Sequence, residues 1–360
     1  MLAVTDVLGT VNVVLDWTSG AVLDTFMNLR SGFTSRDFTW WFEPRPGDHA
    51  SNAPQSGSPR AGRLLPPTRL QTNATDVGRA RASAVPMPPP PGRYSNYVHV
   101  GSGGFADVFE ARDSQGHRVA IKRLRRSSRH DEISEKYFRR EARLHSVLQS
   151  PGLPKLIEQR LDAEPPFFVM EFIDGLNMAD WVRTRGCMTD KQVRRTASRT
   201  IHALNEIHSR QFLHRDIKPS NVMVSETRAV LLDLGIGKDL ASASSASAAH
   251  VGTWSFAAPE YFLSKTAESQ ASDVFSWGAM LAFGATGRMP YGDRSGPALL
   301  NQVLKGTLDE EFLAALKRFG RATELGGALS GIILQCVDPD PVVRPTSYLL
   351  NRLINKSSSS

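Results

Sequence analysis

Short apolar runs and helically spaced apolar residues alternate from about residue 94 onward. The runs 119–122 and 230–235 predict buried strands, and each carries a charged residue near its end. Apolar residues at helical spacing predict a helix over about 134–148. A longer apolar run, 274–285, predicts a buried helix, because a membrane span would need about 20 residues.

Charged residues stand at the ends of these predicted strands, where burial is unfavourable. Lys122 needs an anion to meet its ammonium group, and Glu141 on the predicted helix or nucleotide phosphates would supply one. Asp233 follows an apolar strand and is placed to bind Mg²⁺. Alone, Glu141 is typical of a solvated helix charge and Asp233 of a plain strand-to-loop residue.

The segment His214-Arg215-Asp216-Ile217-Lys218-Pro219-Ser220-Asn221 combines a candidate base, a cation and a metal ligand. Asp216 can accept a proton from an attacking hydroxyl, and Lys218 can contact a transferring phosphoryl group. Asn221 can offer its side-chain oxygen to Mg²⁺. The first three residues alone are weak evidence, but their required partners lie on both sides, in order.

A glycine-rich stretch, 100–108, reads as a strand, a tight turn and a second strand. Glycines let the backbone approach phosphate oxygens, and Val108 can pack on a flat base. The glycines alone favour an ordinary hairpin.

From about residue 94 to residue 353 the chain resembles the eukaryotic-type (Hanks-type) serine/threonine protein kinases, including actinobacterial members. The motifs above carry the resemblance, together with 168–175, 252–260, 271–278 and 282–292. It implies a two-lobed α+β fold, with a β-rich small lobe containing one main helix and a larger helical lobe. The resemblance places the kinase domain at 94–355, whereas residue spacing and composition predict a helical and aromatic extension at 1–43 and a disordered linker at 44–93.

The resemblance also assigns roles to residues. The implied catalytic residues are Asp216, Lys218, Lys122 and Glu141, and the implied metal ligands are Asn221 and Asp233. ATP, with Mg²⁺ or Mn²⁺, would be bound by Gly101, Ser102, Gly103, Gly104, Phe105, Val108, Ala120, Lys122, Met170, Glu171 and Ile173, with Met170 as the gatekeeper. Asp273 would brace the catalytic loop, and Glu260 would pair with Arg344.

Three residues depart from the family pattern. Ala106 replaces the third glycine of the phosphate loop, and Leu234 replaces the usual Phe after Asp233. His145 stands where an aliphatic residue often completes the core, and we interpret it as a packing or surface residue. None of the three removes a charge that the chemistry needs.

The implied reaction transfers the γ-phosphoryl group of ATP to Ser or Thr hydroxyls of proteins, including autophosphorylation at Ser245 and Ser247, with self-association for the trans reaction. A pseudokinase scaffold is disfavoured because it would lack one of Lys122, Asp216, Asn221 or Asp233. A small-molecule phosphotransferase normally lacks Lys218 and the peptide-positioning segment 252–260.

Composition agrees with a cytoplasmic enzyme. The net charge is +7, but its densest patch, 122–129, lies at a strand end and loop, so no nucleic-acid partner is indicated. Cys187 and Cys336 are too few for a disulfide framework or metal cluster, and we expect reduced thiols. No signal peptide or membrane span is expected.

The first third of the chain has a different character. Val4, Val7, Leu8, Val11, Val14 and Leu15 follow helical spacing, which Gly9 weakens, and 22–27 suggests a second short helix. An aromatic cluster, 40–42, precedes a stretch over 45–92 that is rich in Pro, Ser, Gly, Ala and Arg. The extension could dock a partner, pack on the kinase domain, lie on a membrane surface or result from a misassigned start codon. The proline-rich stretch is a spacer or a proline-recognition ligand.

Overall fold

The computed structural model describes residues 4–5, 11–12, 93–103, 105–125, 131–234, 254–263 and 268–356. The described residues fall into two units, one within 1–88 and the other within 89–360. The predicted helix at 22–27, the aromatic cluster at 40–42 and the stretch 45–92 lie outside the described residues.

In the first unit, strands β1 (Val4–Thr5) and β2 (Val11–Asn12) pair antiparallel, with Val4 opposite Asn12. The helix predicted from the apolar spacing is therefore wrong at these residues. β-branched Val and Thr favour an extended backbone, which accounts for the difference.

The second unit begins with a five-stranded antiparallel sheet, in the order β3-β4-β5-β7-β6. Its strands are β3 (Ser95–Ser102), β4 (Ala106–Arg112), β5 (Arg118–Leu124), β6 (Leu156–Arg160) and β7 (Phe167–Glu171). Helix α1 (Asp131–Val147) lies between β5 and β6 in sequence and starts three residues before the predicted 134–148. Its Phe138 and Ala142 pack with Phe168 and Met170 of β7 in one hydrophobic cluster, which fixes the helix against the sheet.

A larger, mainly helical lobe follows. Its helices are α2 (Met178–Arg185), α3 (Asp190–Ser209), α4 (Glu260–Leu263), α5 (Gln270–Thr286), α6 (Gly296–Leu304), α7 (Glu310–Ala322), α8 (Glu324–Cys336) and α9 (Ser347–Lys356). A small antiparallel sheet, β10-β9-β8, joins Leu176–Asn177 (β8), Val222–Val224 (β9) and Ala229–Leu231 (β10). The two-lobed α+β fold expected from the sequence is confirmed.

Helix α5 is the centre of the large lobe. It includes the predicted run 274–285, and buried Trp277 donates a hydrogen bond to Thr200 of α3 at 2.8 Å. A side chain at Gly278 would meet Cys336 Cβ of α8 at 2.5 Å, so glycine permits the close approach of the two helices. None of the described helices is long and apolar enough to span a bilayer.

Candidate active site

The catalytic loop, residues 213–221, lies between α3 and β9 and is bound by Asp273 of α5. The buried Asp273 carboxylate accepts backbone hydrogen bonds from His214 at 2.7 Å and Arg215 at 2.8 Å. Its Oδ2 also lies 3.0 Å from His208 Nε2. Burial would raise the pKa of Asp273, but the hydrogen bond and charge of His208 lower it below the ordinary value. Asp273 therefore braces the loop as expected.

Three polar side chains of this loop lie close together. Lys218 Nζ is 3.0 Å from Asp216 Oδ1. Asn221 donates from its side-chain nitrogen to the backbone oxygen of Asp216 at 2.9 Å. This bond uses the amide nitrogen of Asn221, so the amide oxygen is the atom that could bind a cation.

Lys122 lies between two carboxylates. Its Nζ is 2.6 Å from Glu141 of α1 and 2.9 Å from Asp233. The ion pair with Glu141 was predicted from the sequence, whereas the contact with Asp233 was not. Burial would lower the pKa of Lys122, but the charges of Asp233 and Glu141 raise it above its ordinary value, so the ammonium stays charged.

Asp233 lies where β10 gives way to a loop, with a positive φ of 51°. Its side chain is 52% exposed, and the charge of Lys122 lowers its pKa. The result is an ionised carboxylate that is exposed to solvent on one side and contacts Lys122 on the other.

The predicted nucleotide-binding residues lie mostly on strands β3 to β7. In the register of the sheet, Val108 pairs with Lys122 and Ala120 pairs with Met170, so all four lie on one face. The turn between β3 and β4 is held by Gly103, whose N–H donates to Ala106 O at 2.7 Å, and Ser102 Oγ donates to Asp107 at 2.7 Å. The remaining predicted residues of the turn are Gly101 and Phe105, which are described, and Gly104, which lies outside the described residues.

Residues 171–174, which we call the hinge, connect β7 to the large lobe. Met170, just before it, is buried in the hydrophobic cluster, and Ile173 is buried as well. The Glu171 N–H donates to Lys155 O at 2.8 Å, and the Glu171 side chain binds Arg228.

All three departures from the family pattern are buried packing residues. Ala106 is 2% exposed and lies in the same hydrophobic cluster as Phe138 and Phe168. Leu234 is 4% exposed, so it fills an apolar site. His145 is also 4% exposed, and its ring lies 5.7 Å from that of Phe168. Burial lowers the pKa of His145 to about 4.

The predicted pair between Glu260 and Arg344 is present and buried. Arg344 binds both carboxylate oxygens of Glu260, at 2.6 and 2.9 Å, and Ser272 Oγ donates to the same carboxylate at 2.8 Å. This network anchors the start of α4. Immediately before it, Trp254 and Ala257 line a cavity together with Asp216.

Sequence reasoning missed one acidic residue beside the catalytic loop. Glu268 Oε2 lies 3.0 Å from Nε of Arg215. Glu268 lies in a polar stretch before α5, and no local sequence pattern indicates that it contacts Arg215. The predicted phosphorylation sites, Ser245 and Ser247, lie outside the described residues.

Comparison with known proteins identifies the class. The protein kinase domain family matches residues 94–356, and the chain belongs to this family. The serine/threonine-protein kinase PknB of Mycobacterium tuberculosis (strain H37Rv) is 36% identical over 208 residues, which is 55% of this chain and 33% of the relative. A probable serine/threonine-protein kinase PknB of Bifidobacterium longum is 32% identical over 225 residues, 59% of this chain and 32% of the relative. The resemblance to actinobacterial serine/threonine kinases is thus confirmed, and the matched region spans about a third of the length of these relatives.

A solved structure has the same fold. The crystal structure of Rad53 1-466 in complex with AMP-PNP is 26% identical in sequence, with a TM-score of 0.58. The similarity covers 73% of this chain and 65% of that chain.

Proposed function

We propose that this chain is an ATP- and Mg²⁺-dependent protein serine/threonine kinase. The observation that carries the proposal is the charged Lys122 between Glu141 and Asp233, in a chain whose relatives are serine/threonine kinases. A buried ammonium held by two carboxylates is suited to meet the phosphates of a nucleotide. Binding of AMP-PNP by Rad53 supports the choice of nucleotide.

Asp216 is the residue we assign to the attacking hydroxyl. Its carboxylate would orient the hydroxyl and accept its proton, while Lys218, 3.0 Å away, would neutralise charge on the phosphoryl group. Catalysis would then rest on positioning and charge neutralisation rather than on a covalent intermediate.

The side chains of Asp233 and Asn221 fit a hard divalent cation. Asp233 supplies an ionised, exposed carboxylate, and Asn221 supplies an amide oxygen, both of which are typical Mg²⁺ ligands. Within the described residues no group of three or more His, Cys, Asp or Glu side chains is placed to hold a metal. Two protein ligands agree with Mg²⁺ sites that are completed by phosphate oxygens and water, where the ion neutralises phosphate charge.

The segment anchored by Glu260 and Arg344 supports a peptide substrate rather than a small molecule. Trp254 and Ala257 line a cavity together with Asp216, and a peptide backbone carrying the acceptor hydroxyl would have to pass there. We also propose autophosphorylation at Ser245 and Ser247, with self-association for the trans reaction. We further propose a docking role for residues 1–43 and a cytoplasmic location.

The decisive experiment replaces the metal ligand. Asp233→Asn should lower phosphoryl transfer from labelled ATP to itself or to a generic protein substrate by several orders of magnitude, with little change in the melting temperature. Asp162→Asn is the matched control, because that carboxylate is 84% exposed and lies outside the site. Transfer by Asp233→Asn at near wild-type rate would exclude Asp233 as the metal ligand. A wild-type chain that transfers no phosphate with Mg²⁺ or Mn²⁺ would exclude the kinase function.

A further inference from the structure

Two arginines bind three of the four hinge residues. Arg228 donates to both carboxylate oxygens of Glu171, at 2.6 and 3.3 Å. The guanidinium carbon of Arg118 lies 3.9 Å from the ring centroid of Phe172, and its Nη1 donates to Asp174. Arg228 thus makes a two-point contact, and Arg118 makes a combined ionic and stacking contact. Contacts of both kinds fix the orientation of the partner side chain as well as its distance.

The two arginines come from opposite lobes. Arg118 begins β5 of the small lobe and is itself oriented by Glu110, at 2.6 Å. Its partner Asp174 lies on the large-lobe side of the hinge, two residues before β8. Arg118 therefore connects the small lobe to the start of the large lobe.

Arg228 connects the large lobe back to the end of the small-lobe sheet. It lies in the turn between β9 and β10 of the large lobe, where its carbonyl accepts a hydrogen bond from the Ser225 N–H at 2.9 Å. Its partner Glu171 ends β7 of the small lobe. The hydrogen bond from Arg228 lowers the pKa of Glu171, so the pair is ionised at neutral pH.

We propose that Arg118 and Arg228 are positioning residues that hold the hinge in the conformation that accepts the adenine of the nucleotide. The inference rests on the proposed function and on the resemblance to protein kinases, which implies that Glu171 and Ile173 would hold the adenine through their backbone groups. A hinge that is ordered before binding avoids the entropy cost of being ordered by the ligand. Exposed ion pairs contribute little to folding stability, so the expected effect is on nucleotide binding.

The test compares Arg118→Ala, Arg228→Ala and the double variant with the wild-type full chain. Calorimetry with Mg²⁺ and AMP-PNP gives the dissociation constant, and steady-state assays give KM for ATP and kcat. Each single variant should weaken nucleotide binding about two- to fivefold and the double variant about tenfold, with kcat nearly unchanged. Arg294→Ala is the matched control, since Arg294 is similarly exposed and binds Asp309 at 2.9 Å in the large lobe, outside the hinge.

Conservative variants keep the test valid if an alanine variant fails to fold. Arg228→Lys keeps the charge but loses the two-point contact, so it should show an intermediate loss of affinity. The charge-exchanged double variant Arg228→Glu/Glu171→Arg should recover part of the affinity lost in Arg228→Ala.

The outcomes separate this inference from the proposed function. If the wild-type chain binds AMP-PNP and all hinge variants bind it equally well, the inference is wrong and the kinase function stands. An equal loss of affinity in Arg294→Ala would also overturn the inference, since the effect would not be specific to the hinge. A wild-type chain that binds no nucleotide would overturn both.

Discussion

His145 should make the stability of the kinase domain depend on pH. Its ring is buried against Phe168, and burial lowers its pKa from 6.5 to about 4. In the unfolded chain His145 would titrate near its ordinary pKa, so between these values only the unfolded state takes up the proton. The free energy of unfolding should therefore fall as the pH decreases from 6.5 toward 4, and this contribution should be fully present above pH 6.5.

The size of this effect follows from the pKa difference. A full shift from 6.5 to about 4 corresponds to roughly 3 kcal/mol, of which about 2 kcal/mol should already be lost at pH 5. His145→Leu replaces the imidazole with an apolar side chain of similar size that cannot be protonated. It should therefore lose less stability than the wild type between pH 7 and pH 5, by about 2 kcal/mol.

Urea unfolding at pH 7 and pH 5, followed by tryptophan fluorescence, measures this difference, because Trp181 and Trp277 are buried. His117→Leu is the control for the loss of an imidazole at the surface, since the His117 side chain is 77% exposed. If His145→Leu and the wild type lose the same free energy between the two pH values, His145 is not a buried neutral histidine.

Three further predictions concern the ion pair between Glu260 and Arg344, the residues before the kinase domain, and the segment that contains Ser245 and Ser247. Arg344→Met leaves the buried Glu260 carboxylate without its cation and should lower the free energy of unfolding by about 3–5 kcal/mol in urea unfolding. A truncated chain beginning near residue 92 should fold and retain autophosphorylation, and an insoluble or inactive product would indicate that the extension stabilises the kinase domain. Mass spectrometry of the active protein should find phosphate on Ser245 and Ser247, and the double alanine variant should be slower in phosphoryl transfer; full activity of that variant, with no phosphate in the segment, would reject the assignment.

Much of the fold and of the candidate site could be predicted from the sequence. The clearest signals were charged residues that interrupt an apolar strand or helix pattern, because a buried charge needs a partner. Lys122 at a buried strand needed an anion, and Glu141 on the neighbouring helix was the available carboxylate. The pairing of Glu260 with Arg344, 84 residues apart, came from the family resemblance rather than from local spacing.

The rest depended on tertiary packing. The contact between Lys122 and Asp233 joins residues 111 positions apart, and no local pattern fixes the distance between a strand of one lobe and a loop of the other. The hinge contacts of Arg118 and Arg228 are similar cases, because exposed arginines in strands and turns usually have no specific partner. At the N-terminus, helical spacing was misleading because Val4–Thr5 and Val11–Asn12 are short and rich in β-branched residues.

The resemblance to protein kinases implies that Arg215 would bind a phosphate on Ser245 or Ser247. The contact between Arg215 and Glu268 bears on how such a phosphate would act. The Arg215 guanidinium already has a carboxylate 3.0 Å from its Nε, and the Glu268 side chain is only 10% exposed. A guanidinium has five N–H donors, so it can bind Glu268 and a phosphate together, but the two anions would then repel each other. A phosphate at Arg215 must therefore either displace Glu268 or tolerate its charge. In both cases the contact between the phosphate and Arg215 is less favourable in free energy than a contact with an arginine that has no acidic neighbour. Since Glu268 already restrains Arg215 next to Asp216, the loss of phosphate should slow the reaction rather than abolish it.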